Sequence, residues 1–208
     1  MTHSLHRRGN VADLHEDYVI LGIPNRGKDH SLSEESQENL RQIWEILSRY
    51  EQDLANFGTG VGRYPMEVLK KNKSKKAVMV AFKDRETLKS CLREIKDRNL
   101  GISIVLSGIY EHTEELCSEL GISPHTVEHS LDIHGKTERL PEESVLEITT
   151  LCGHAMASPN LVKHLVERIN EGKMTHAEAA EELSRMCDCG IFNPHWAEKV
   201  LRKLTSTP

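Results

Sequence analysis

Between Leu151 and Ala197 two short cysteine clusters, Cys152-Gly-His154 and Cys187-Asp-Cys189, bracket a stretch patterned as two consecutive helices. Ser158 precedes Pro159 as an N-cap precedes a first helical residue. Leu161, Val162, Leu165, Val166 and Ile169 then recur at the spacing of one helix face. Gly172 stops that helix, and Thr175 with Glu178 three residues on spells a capping box for the next. Ala179, Ala180, Leu183 and Met186 form its apolar face.

Helices over 160–171 and 176–186 would each be roughly 16–18 Å long. Antiparallel helices of equal length return the chain to its starting level, so Cys152 and His154 are predicted to lie beside Cys187 and Cys189. Three thiols and an imidazole form the ligand set of a zinc ion or an iron–sulfur cluster. The spacing, C-x-H-x32-C-x-C, is not the C-x2-C of common zinc fingers. Ordinary buried thiols with His154 as a polar neighbour, or a redox-active dithiol, satisfy the same sequence. Asn193-Pro194 reads as the N-cap and first position of a last helix, whose amides would favour nearby thiolates.

Upstream, the period changes. Ala77–Phe82 and Ile102–Leu106 are short apolar runs, with a helix face of Leu88, Cys91, Leu92 and Ile95 between them. A helix carrying Leu116 and Leu120 follows, and Thr126–Ile133 is a third strand candidate. The order β-α-β-α-β predicts an α/β fold with a small parallel or mixed sheet flanked by helices. Ligands of such sheets bind beyond the carboxyl ends of strands. Ser107, Gly108 and His112 therefore form the predicted ligand site, for a small molecule beside the metal. The segments divide as 1–75, an N-terminal arm and helix; 76–140, the α/β unit; and 141–208, the helical cysteine/histidine part.

The remaining segments say less. Asp17–Gly22 has the look of a short strand, and a helix is expected from Ser33 with a stripe running from Leu40 to Leu54 and Phe57. Gly58, Gly60 and Gly62 match neither a dinucleotide fingerprint nor a P-loop, and a helix stop with a turn accounts for them. His134-Gly-Lys-Thr137 lacks the first glycine of a P-loop, because Ser130 stands there. His125 and His129 would lie ~13 Å apart on a strand, too far to share an ion. His3, His6, Arg7, Arg8 and His15 make a basic N-terminal arm, and Lys70, Lys71, Lys73, Lys75 and Lys76 a solvated connector.

A net charge of -5 and 4% aromatic residues disfavour nucleic acid as a partner. No apolar run approaches the ~20 residues of a membrane span, and the first residues lack the apolar core of a signal peptide. Five cysteines, an odd number, do not suit a secreted disulfide framework and point to a reducing, cytoplasmic setting. No catalytic dyad or triad has a distinctive spacing. A metal or iron–sulfur protein with a small-molecule ligand or a redox protein partner is one expectation. A non-catalytic accessory protein with a structural zinc, or with free thiols only, is the other.

Overall fold

The computed structural model describes residues 7–72 and 76–206. The chain enters through a short helix α1 (Val11–Leu14) and then lays down β1 (Tyr18–Ile23), α2 (Glu34–Ser48), β2 (Leu54–Gly58) and α3 (Met66–Lys71). It continues through β3 (Val78–Phe82), α4 (Arg85–Arg98), β4 (Ser103–Ser107) and α5 (Tyr110–Glu119). The last part is helical: α6 (Glu143–Thr149), α7 (Pro159–Asn170), α8 (His176–Arg185) and α9 (Pro194–Ser206).

The strands form one sheet in the order β2-β3-β1-β4. Each neighbouring pair is antiparallel, which corrects the predicted parallel or mixed sheet. The β3-α4-β4 crossover does exist, and its two strands run in the same direction, but β1 is inserted between them. The result is the split βαβ, or ferredoxin-like, arrangement β-α-β-β-α-β. That name describes topology only and carries no function. The insertion follows from side-chain chemistry. Tyr-Val-Ile-Leu is buried on both faces, as a central strand must be, while β4 is half exposed and sits at an edge.

Two further expectations are corrected. Leu54 and Phe57 do not continue α2; the helix ends at Ser48 and the chain turns into β2, whose burial alternates as a strand's does. Thr126–Ile133 forms no strand. Its apolar residues are too sparse to make a buried face, and Val127 and Leu131 stand 48% and 79% exposed.

Period-two alternation divides the sheet between two cores. Tyr18, Ile20, Val78, Val80 and Phe82 face a core shared with α2, α3, α4 and α5. Val19, Leu21, Met79 and Ala81 face the other, built from α6 to α9. The C-terminal helices thus form a layer on the second face of the sheet. Their caps are those read from the sequence: Ser158 accepts from the Leu161 amide, and Thr175 and Glu178 close the capping box. No helix among the described residues is long and apolar enough to cross a membrane.

Candidate functional site

Cys152 follows the last turn of α6, and Cys187 and Cys189 follow α8, so all three enter the core of the C-terminal layer from helix ends. Their exposures are 2%, 0% and 1%. The Cys187 and Cys189 sulfurs lie 3.3 Å apart. Cys152 is hydrogen-bonded to Cys187 as the third sulfur. His154 stands at the exposed rim, its Nδ1 3.8 Å from the Cys189 sulfur. Among the described residues, no group of three or more histidine, cysteine, aspartate or glutamate side chains has a geometry ready to hold a metal.

Backbone amides point at the sulfurs. Amides of Ile191 and Phe192 donate to Cys187, the Ile191 amide also to Cys189, and those of His154 and Met156 to Cys152. Hydrogen bonds from Cys152 and Cys189 hold the Cys187 thiol well below the usual thiol range. The same bonds to Cys187, together with burial, push Cys152 and Cys189 above it.

Two devices that the sequence pattern did not reveal hold this loop. The first is close backbone approach. Gly190 has φ +82°, and a Cβ there would lie 2.2 Å from the carbonyl carbon of Phe57; one on Gly58 would lie 2.5 Å from the Cys189 oxygen. Strand β2 therefore backs directly on Cys189-Gly190, and Asn56 adds hydrogen bonds to Ser184 Oγ at 3.1 Å and the Phe192 carbonyl at 2.8 Å. Asn56 was legible only as one polar residue inside a segment expected to be helical.

The second is Arg7. Its guanidinium donates to the carbonyl oxygens of Leu151 and Ile191, each at 2.7 Å, one next to Cys152 and the other next to Gly190. Its Nε meets Asp17 Oδ2 at 2.9 Å, an ion pair lying outside hydrogen-bond geometry, with the two side chains 8% and 0% exposed. Asn193 donates to Asp17 Oδ1 at 2.9 Å and caps α9 by accepting from the Trp196 amide. A residue expected in a basic arm is thus a buried clamp. Of its expected companions, His3 and His6 lie outside the described residues, and Arg8 pairs with Glu143 and Asp132.

Of the predicted ligand residues, His112 lines a cleft, and Ser107 and Gly108 do not. Ser107 is 7% exposed and Gly108 packs on the Tyr18 ring, where a Cβ would meet Cδ1 at 2.6 Å. His112 lines an open cleft of ≈ 690 Å³ at that end of the sheet, its Nδ1 3.0 Å from the Tyr18 hydroxyl. His125 and His129 find separate neighbours, Thr126 and the Tyr110 ring. In the lysine run, Lys70 and Lys71 pair with Glu67 and Lys76 lies over the Tyr64 ring; Lys73 and Lys75 lie outside the described residues. No protein-family model, curated protein or solved structure matches this chain.

Proposed function

We propose that Cys152, His154, Cys187 and Cys189 bind a single zinc ion that staples the end of α6 to the end of α8, in a protein of the reducing cytoplasm. The observation that carries this is the meeting of three buried sulfurs, two of them 3.3 Å apart, with an imidazole nitrogen 3.8 Å from one of the pair. Thiolates about 2.3 Å from a tetrahedral zinc lie about 3.8 Å from each other, so the Cys187–Cys189 pair would have to part by only about half an ångström. Cys187 is already held towards the charged form that a metal needs, and Cys152 and Cys189 would release their protons on binding. An iron–sulfur cluster, with a redox protein as its partner, would spread the same ligands wider. The close sulfur pair favours one ion. All five cysteines are free of disulfides, which agrees with a reducing compartment.

A second reading keeps the same residues without metal, as a thiol triad that shares one negative charge inside an accessory protein. The absence of a preformed metal geometry among the described residues favours it. Metal analysis of untagged protein purified without added metal separates the cases. Stoichiometric zinc in a colourless sample supports the staple, a brown sample with iron and sulfide supports a cluster, and metal-free protein supports the triad. Under the staple, Cys187→Ser is expected to lose the metal and to lower the melting temperature by roughly 10 °C, a loss of about 3–5 kcal/mol. An equal melting temperature in the presence and absence of a strong chelator would count against a structural metal.

A further inference from the structure

The cleft at the end of the sheet is lined almost entirely by ionisable side chains. It opens where β3 ends, between the start of β1, the first turns of α4 and α5, and α9. Its volume, ≈ 690 Å³, is that of a small-molecule site. Six lining residues are basic: His15, Lys83, Arg85, His112, His195 and Lys199. Three are acidic, Glu16, Asp84 and Glu115. With the histidines neutral, the three cations and three carboxylates balance, in a chain whose net charge on the same basis is -5.

Two of the three carboxylates are already committed. Glu16 takes Lys199 and, at 3.1 Å, His195 Nε2, and Asp84 caps α4 by accepting from the Thr87 amide at 2.7 Å. The donors keep capacity. Lys83 spends one of its three N–H groups on the Gln52 carbonyl, and Arg85 hydrogen-bonds Glu119 through one nitrogen and faces Glu86 at 3.6 Å with another, which leaves Nε. The Nδ1 of His112 is engaged by the Tyr18 hydroxyl, which fixes the ring and leaves Nε2 for another partner. Tyr18 is itself 1% exposed and locked against Gly108, so this wall is rigid.

We propose that this cleft binds a small oxyanion-bearing molecule, its phosphate or carboxylate head held by Lys83, Arg85 and His112. A guanidinium and an ammonium together suit such a head, the one by its planar fork and the other as a point charge. The site is independent of the metal centre and stands or falls without it.

The test is a titration of the full chain with inorganic phosphate and, separately, with citrate, followed by calorimetry and by the imidazole resonances of His112. Saturable binding is expected for one of the two, weakening as salt is added. A stronger response to phosphate identifies a phosphoryl head, and a stronger response to citrate a carboxylate one. Lys83→Gln and His112→Gln are each expected to weaken binding about fivefold or more, the loss of a charge-assisted hydrogen bond. Lys163→Gln, on the separate helix α7, leaves it unchanged. Lys83→Gln keeps the test decisive should His112→Gln disturb the Tyr18 wall. Absence of saturation with both anions, or binding indifferent to Lys83→Gln, overturns the proposal.

Discussion

Gly190→Ala is expected to disrupt the C-terminal layer, and it is the most damaging small substitution that the structure offers. The residue sits at φ +82°, where a side chain is disfavoured, and its Cβ would lie 2.2–2.4 Å from three backbone atoms of Phe57 and Gly58. Backbone cannot rotate away as a side chain can. Either β2 leaves the sheet edge or the Cys187–Phe192 loop lifts out of the core. Both options uncover Cys187, Cys189 and Ile191, all at most 1% exposed. A penalty of about 4 kcal/mol or more is expected, a large share of the ~5–15 kcal/mol that holds a typical domain. Thermal unfolding should show a fall of roughly 10 °C or more. Gly172→Ala is the control: its φ is +69° but nothing lies within 4 Å of the added carbon, so it should lose about 1 kcal/mol. Equal losses at the two glycines would show that close approach to β2 is unimportant.

Arg7→Met is expected to cost about 3–5 kcal/mol, because it leaves a buried carboxylate without its cation. The Asp17 side chain has no exposed surface, and among the described residues Asn193 would remain to serve it. The loss should also loosen the cysteine loops, since the same guanidinium holds the Leu151 and Ile191 carbonyls. Burial pushes the Asp17 carboxyl up, with Arg7 and Asn193 pulling it back. A folded-state value above the unfolded one means that the native state holds the proton more tightly. The stability contribution of this group is therefore greatest in acid and declines as pH rises through the raised value. Arg7→Met removes a lowering influence, so its deficit should be smallest at acid pH and grow towards neutrality. Adding Asp17→Asn to Arg7→Met removes the stranded charge and should recover at least half of the loss at neutral pH. A deficit that is flat with pH, or no recovery in the double variant, would mean that Arg7 acts by packing alone.

The two substitutions show why the sequence was informative about some parts and silent about others. Caps are local: Ser158, Thr175 and Glu178 announce helices α7 and α8 because their hydrogen bonds close within three residues. Strands β3 and β4 were legible as apolar runs, but their neighbour was not. Whether β1 enters between them depends on burial over both faces of a distant segment, and that pairing spans more than 50 residues. Strand β2 was hidden because Leu54 and Phe57 extend the spacing of α2, and only the turn at Glu51–Asp53 breaks it. The meeting of helix ends that brings Cys187 and Cys189 near His154 follows from hairpin geometry. The clamp does not, since Arg7 reaches across 144 and 184 positions of sequence to Leu151 and Ile191. A lone arginine in a polar segment carries no sign of that.

X-ray absorption at the zinc edge, on untagged protein purified without added metal, tests the metal assignment most directly. Stoichiometric zinc with three sulfur neighbours at about 2.3 Å and one nitrogen at about 2.0–2.1 Å is the expected result. Cys152→Ser should then reduce the sulfur count to two. A sample with no stoichiometric zinc, or zinc held by oxygen and nitrogen alone, would contradict the account and leave the three cysteines as a metal-free thiol triad.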